Sequence, residues 1–210
     1  CIFAIIPVII HGSLRYRMSR TSYRGIRFGY RGDRRELMVQ FFRDVLLSIV
    51  TLGIYSSWLS MNLRSYTHRH MRYGNIEFSN EAKGADYFIL NLKGGLLTIL
   101  TLGIYSFWWQ KDIFNYYIDN MELKQNENRI KMHSTATGGA FFKLLITNFL
   151  LLFFTFGIAA AWVEMRTLRF LFSHIQMTGN IDLSAVSQTE AAYNDAFGED
   201  AADFFNIDLI

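Results

Sequence analysis

A single cysteine, Cys1, stands in the 210 residues, which excludes a disulfide framework and a thiolate metal site. Catalytic signatures are missing too: H-E-x-x-H, G-x-S-x-G, the phosphate-binding loop and the dinucleotide fingerprint do not occur. The histidines do not fill that gap. His68 and His70 are two apart, which puts them on opposite sides of a helix, and His11, His133 and His174 are scattered. No metal and no cofactor is expected. Charge is the third scarcity, at 19% of residues against about 25% in soluble domains.

Where the charge is missing matters more than how much. Val45–Leu63, Gly94–Gln110 and Leu144–Val163 contain no Asp, Glu, Lys or Arg, over runs of 19, 17 and 20 residues. A helix needs about 20 apolar residues to cross a bilayer core. The runs therefore predict an all-α integral membrane protein. The charges that remain are segregated: eight arginines and one acid lie between Arg15 and Arg35, and no Lys or Arg follows Arg169. An arginine-rich stretch between apolar segments reads as a positive-inside topology signal rather than a nucleic-acid surface. The opening CIFAIIPVII has no basic flank and is not a signal peptide; it reads as the tail of a membrane helix.

What is present is a repeat. Thr51-Leu52-Gly53-Ile54-Tyr55 returns unchanged as Thr101-Leu102-Gly103-Ile104-Tyr105, and a looser copy is Thr155-Phe156-Gly157-Ile158-Ala159. A tryptophan follows each threonine by seven, at Trp58, Trp108 and Trp162. Gly74-Asn75-Ile76-Glu77-Phe78 is echoed at Gly25–Phe28, Arg129–Met132 and Gly179–Leu183. The units divide the chain into a preceding partial repeat with its Arg-rich loop (1–35), three repeats (36–85, 86–139, 140–183) and an acidic tail (184–210). Each unit reads as an apolar membrane helix, a glycine turn, an amphipathic helix lying in the interface, and a short extended segment. Gly53, Gly103 and Gly157 are expected at the C′ position, where a left-handed residue ends a helix. Trp58, Trp108 and Trp162 are expected in an interfacial belt. Two topologies stay open: one crossing per unit, or a helical hairpin per unit.

The TLGIY motif with Trp58 and Trp108 three residues after it, Tyr23-Arg-Gly-Ile-Arg-Phe28 and the acidic Ala196–Phe205 segment resemble the YjgN-type family of bacterial inner-membrane proteins, a family of unknown function. The resemblance covers essentially the whole chain. It implies a multi-pass protein of the bacterial inner membrane, here without the family's N-terminal unit, and it carries over no catalytic residue.

The ionisable groups nearest the apolar runs are the candidate site. Arg43 and Lys93 each stand eight residues before the motif threonine, and Asp44 and Asn148 stand seven before it. They mark either a polar pathway or side chains reaching out to the interface. Arg64, with Arg69 and Arg72, is placed to attract anionic lipid headgroups, at about 1 kcal/mol each near a charged leaflet. Membrane lipids are the expected partner; nucleic acid is not. Transport or lipid handling in the cell envelope is the first functional expectation. A non-catalytic scaffold is the second, and an intramembrane enzyme the last.

Overall fold

The computed structural model describes residues 5–126, 128–179 and 186–187. The elements run α1 (Ile5–Arg20), β1 (Ser22–Tyr23), β2 (Ile26–Tyr30), α2 (Arg34–Val50), α3 (Ser56–Arg69), β3 (Met71–Tyr73), β4 (Ile76–Asn80), α4 (Gly84–Leu100), α5 (Ser106–Asp119), β5 (Met121–Gln125), β6 (Asn128–Ser134), α6 (Gly138–Phe154), α7 (Ala160–Ser173) and β7 (Ile175–Thr178). The segment Gly179–Leu183 falls outside the described residues beyond Gly179, and of the acidic tail only residues 186–187 are described.

The all-α expectation is overturned. The strands form one seven-stranded antiparallel meander in the order β1 to β7. Tight two-residue turns join β1 to β2 and β3 to β4, where Tyr23 faces Ile26 and Tyr73 faces Ile76. Arg24 and Gly25 both have positive φ, +51° and +78°, the turn geometry that follows the twist of the strands. At the opposite edge the pairs Tyr30–Met71, Asn80–Met121 and Ser134–Ile175 are each joined through two helices. All three helical hairpins therefore leave the sheet from the same edge. Tyr73, Ile76, Leu123 and Ile130 form the core under the sheet, with Phe28, Phe78 and Val186 packed against it.

The multi-pass inner-membrane placement fails as well: among the described residues no helix is long and apolar enough to cross a membrane. The reason is where the chain bends. Each charge-free run is folded in two by the TLGIY turn, so it forms the tip of a hairpin instead of one straight helix. Before the turn the run contributes Val45–Val50, Gly94–Leu100 and Leu144–Phe154, which is about 9, 10 and 16 Å of helix axis at 1.5 Å per residue. The Arg15–Arg35 stretch is likewise no loop between spans. It makes the end of α1, the β1–β2 hairpin and the start of α2.

A tyrosine fastens the base of the first two hairpins, and Phe170 stands at that place in the third. In the first, the Asp33 carboxylate caps α2, accepting from the Arg35 and Glu36 amides at 2.6 and 3.0 Å. The Tyr66 hydroxyl, from the end of α3, donates to the Asp33 carbonyl at 2.7 Å and accepts its amide at 2.8 Å. Burial pushes the Tyr66 phenol up to about 12. Tyr116 grips the backbone of Lys83 in the same way, at 2.7 and 2.8 Å.

Candidate functional site

The turn at each tip is a Schellman motif shifted one residue from its expected place. Thr51 is the C-cap of α2, so C′ is Leu52 and C″ is Gly53. The Gly53 amide donates to the Ser48 carbonyl at 2.7 Å and the Leu52 amide to the Ile49 carbonyl at 3.1 Å. Gly53, Gly103 and Gly157 have φ of +92°, +95° and +86°, which glycine adopts freely. The threonine staples the turn. Its hydroxyl donates back to the Leu47 carbonyl at 2.8 Å and accepts the Tyr55 amide at 3.0 Å. Thr101 and Thr155 repeat both bonds.

These contacts account for the threonine and the glycine of the motif. They do not account for the residue between them. Leu52, Leu102 and Phe156 sit at φ of +51°, +51° and +50°, and they are 95%, 95% and 96% exposed. A left-handed backbone costs a residue with a Cβ roughly 1–2 kcal/mol. A leucine left in water forgoes about 1.5–3 kcal/mol of burial. Around them Ile49, Val50, Ile54 and their counterparts Ile99, Leu100, Ile104, Phe153, Phe154 and Ile158 are exposed too. The motif points first to its glycines; the signal for Leu52, Leu102 and Phe156 is an apolar side chain kept beside the turn glycine in all three copies.

Behind the tips, one repeat position faces the hairpin interior in each unit. In the first it is Asp44, 1% exposed, which accepts from Asn62 Nδ2 at 2.8 Å and pairs with Arg43 at 2.9 Å. In the second it is Gly94, where the Trp109 indole fills the space a side chain would need. In the third it is Asn148, buried and donating to the Thr167 hydroxyl at 3.0 Å. Arg43 and Lys93 lie on the outer side. Arg43, Asp33, Glu36 and Asn62 line an open groove of about 610 Å³. Lys93, Asp86 and Asp112 line its counterpart of about 470 Å³. Arg43, Lys93 and Asn148 thus belong to three different hairpins and are not brought together.

The other sequence-selected residues divide by environment. Arg64 lies over the Tyr117 ring, 3.6 Å from its centroid. Trp58 stacks with Tyr55 and Phe88 and covers Gly84. Trp108 stacks with Tyr105 and Phe142 and covers Gly138. Both indoles therefore join one hairpin to the next. Trp162 is the most exposed of the three, at 72%: no following hairpin covers it among the described residues, and Ala159 stands where a tyrosine stacks on its counterparts. No group of histidine, cysteine and carboxylate able to hold a metal occurs among the described residues.

A family model described as a bacterial protein of unknown function (DUF898) matches residues 1–94 and 109–204. The chain belongs to that family. No curated protein and no solved structure matches it. Membership of DUF898 agrees with the family resemblance carried by the TLGIY motif. It brings no activity with it, so function rests on the geometry of the tips.

Proposed function

We propose that this protein binds a lipid surface by dipping its three hairpin tips into one leaflet, and that it handles lipid there. The reading is carried by Leu52, Leu102 and Phe156, which hold a strained backbone and an exposed apolar side chain at equivalent places in three hairpins. Neither feature stabilises the fold, so the residues are explained by something they touch outside it. Strained backbone persists where function uses it.

The dimensions fit a monotopic mode of binding. The uncharged part of each first helix is about 9 to 16 Å long at 1.5 Å per residue. That is at most about half of the roughly 30 Å hydrocarbon core, and it is comparable to the roughly 5–10 Å to which interfacial elements sink. Tip residues supply the apolar area. Arg43 and Lys93, further along the same helices and on their outer side, supply positive charge for headgroups.

The test is flotation with phosphatidylglycerol vesicles, comparing the native chain with L52N/L102N/F156N. Asparagine tolerates positive φ better than other non-glycine residues, so the variant keeps the turn and loses only the apolar contact. Binding should weaken by at least about tenfold per tip, in line with the lost burial. Equal binding by the two proteins would refute the reading.

A further inference from the structure

Four of the positions at which the third hairpin differs from the inner units lie along a single groove. Ala159 stands where the other units have Tyr55 and Tyr105, and Ala161 where they have Ser57 and Phe107. Arg166 replaces Asn62 and Asp112, and Arg169 replaces Ser65 and Asn115. In the inner units the following hairpin covers the positions equivalent to Trp162 and Arg169, whereas Asn62 and Asp112, equivalent to Arg166, line grooves with the first helix of their own hairpin. Trp58 covers Gly84 and the Ser65 hydroxyl donates to the Asn80 carbonyl; Trp108 covers Gly138 and Asn115 donates to the Ala136 carbonyl. On α7 the same face carries no following helix among the described residues. It opens a groove of about 1170 Å³ lined by Leu151, Ile158, Trp162, Met165, Arg166 and Arg169.

The groove is graded in polarity. Its tip end, at Ile158, Ala159 and Trp162, is apolar and continuous with the exposed Phe156. One to two turns further along α7 come the two guanidinium groups, which have no ion pair or hydrogen bond among the described residues. A solvated helix face would not need two arginines at positions where the inner units carry neutral or acidic side chains. Two smaller residues make room beside Trp162, and two cations are added further along α7. Its volume exceeds the roughly 300–1,000 Å³ typical of small-molecule sites, which is room for an acyl chain.

We propose that this groove takes up one anionic phospholipid from the bilayer surface, with an acyl chain along Leu151, Ile158, Trp162 and Met165 and the phosphate on Arg166 and Arg169. Arginine suits that role because its planar fork meets phosphate oxygens in pairs. The proposal rests on the lipid-surface reading for the source of the ligand, but the groove is tested separately from the tips. Short-chain lipid below its micelle concentration presents the same chemistry with no bilayer to bind.

The experiment is calorimetric titration of the full chain with dioctanoyl phosphatidylglycerol and, in parallel, dioctanoyl phosphatidylcholine. The expected result is one site that prefers the anionic lipid. A159Y, which restores the ring of the inner units, should abolish binding. R166Q/R169Q should weaken it by about tenfold or more, the loss of charge-assisted bonds. Circular dichroism of A159Y and R166Q/R169Q establishes that loss of binding is not loss of fold. Equal affinity for the two lipids, or unchanged binding in both groove variants, overturns the proposal. So does a chain ending at Ser187 that binds about tenfold tighter than the native one, because the acidic tail would then be the groove's occupant. Native vesicle flotation without short-chain binding sinks the groove and leaves the tip reading standing. The reverse result sinks the tips alone.

Discussion

The indole of Trp58 occupies the space that a side chain at Gly84 would need: a Cβ built there would lie 2.8 Å from the Trp58 Cα. The contact joins the second helix of one hairpin to the first helix of the next, and Trp108 with Gly138 repeats it. Successive hairpins are therefore held together by a ring on one side and a missing side chain on the other. Gly84→Ala should destabilise the protein by about 1–3 kcal/mol through overpacking against backbone. Gly95, also in α4, has nothing within 4 Å of its would-be Cβ. Gly95→Ala should stabilise by about 0.5–1 kcal/mol through helix propensity. Urea denaturation of the two variants checks the contrast; equal shifts would mean that the hairpins are not packed through Gly84.

Asp44 and Asn62 tie the two helices of the first hairpin together. Asp44→Ala leaves the Asn62 amide without its partner and removes the Arg43 pair, with an expected loss of about 1–3 kcal/mol. Asn148→Ala should lose less, because one weaker neutral bond to Thr167 is at stake. A double-mutant cycle on Asp44 and Asn62 should give a coupling of about 0.5–3 kcal/mol. Additive losses would say that the two side chains act independently.

The tip residues should show opposite effects on stability and on lipid binding. Leu52→Asn relieves part of a left-handed leucine, so the melting temperature should hold or rise, by up to about 1–2 kcal/mol in stability. Vesicle binding should fall in the same variant. Such opposition is expected when a strained residue serves function rather than fold. A fall in both would assign Leu52 to the fold.

Stability should decline as pH falls from 7.5 to 5. His68 has its pKa lowered first by burial, and also by the Arg64 charge, against the opposing bond from its ring to the Arg64 carbonyl at 2.7 Å. His11 is lowered by burial and then by Arg15 and Arg34. For a histidine whose folded pKa lies below its unfolded one, the unfolded chain binds the extra proton. Stability is then full above the unfolded value near 6.5 and is lost as pH drops through the folded value. His68→Gln should flatten the urea midpoint over this range. An unchanged pH profile in that variant would place the sensitivity elsewhere.

By itself the sequence determined the period of the protein and the places where the chain turns. A five-residue identity at a fixed offset has no other explanation than a repeated unit, and a glycine held at one spot in every copy marks positive φ. The sequence also carried the resemblance to the family to which the chain belongs. It marked a short extended segment in each unit but did not reveal the sheet. Strands of two to seven residues do not show their partners, and their pairing is non-local, with Tyr30 facing Met71 across a whole hairpin.

Only the tertiary structure decided what the charge-free runs are. Hydropathy is counted along the chain and takes no account of direction, so 19 uncharged residues give the same signal straight or bent. Two positive-φ residues, Leu52 and Gly53, reverse the path, and a spanning length becomes a tip of half that reach. The fate of the tryptophans was decided the same way. Trp58, Trp108 and Trp162 are equivalent in sequence, yet the first two are covered by the next hairpin and the third by no hairpin among the described residues. Burial depends on whether a neighbour arrives, and a repeat motif says nothing about which of its copies will receive one.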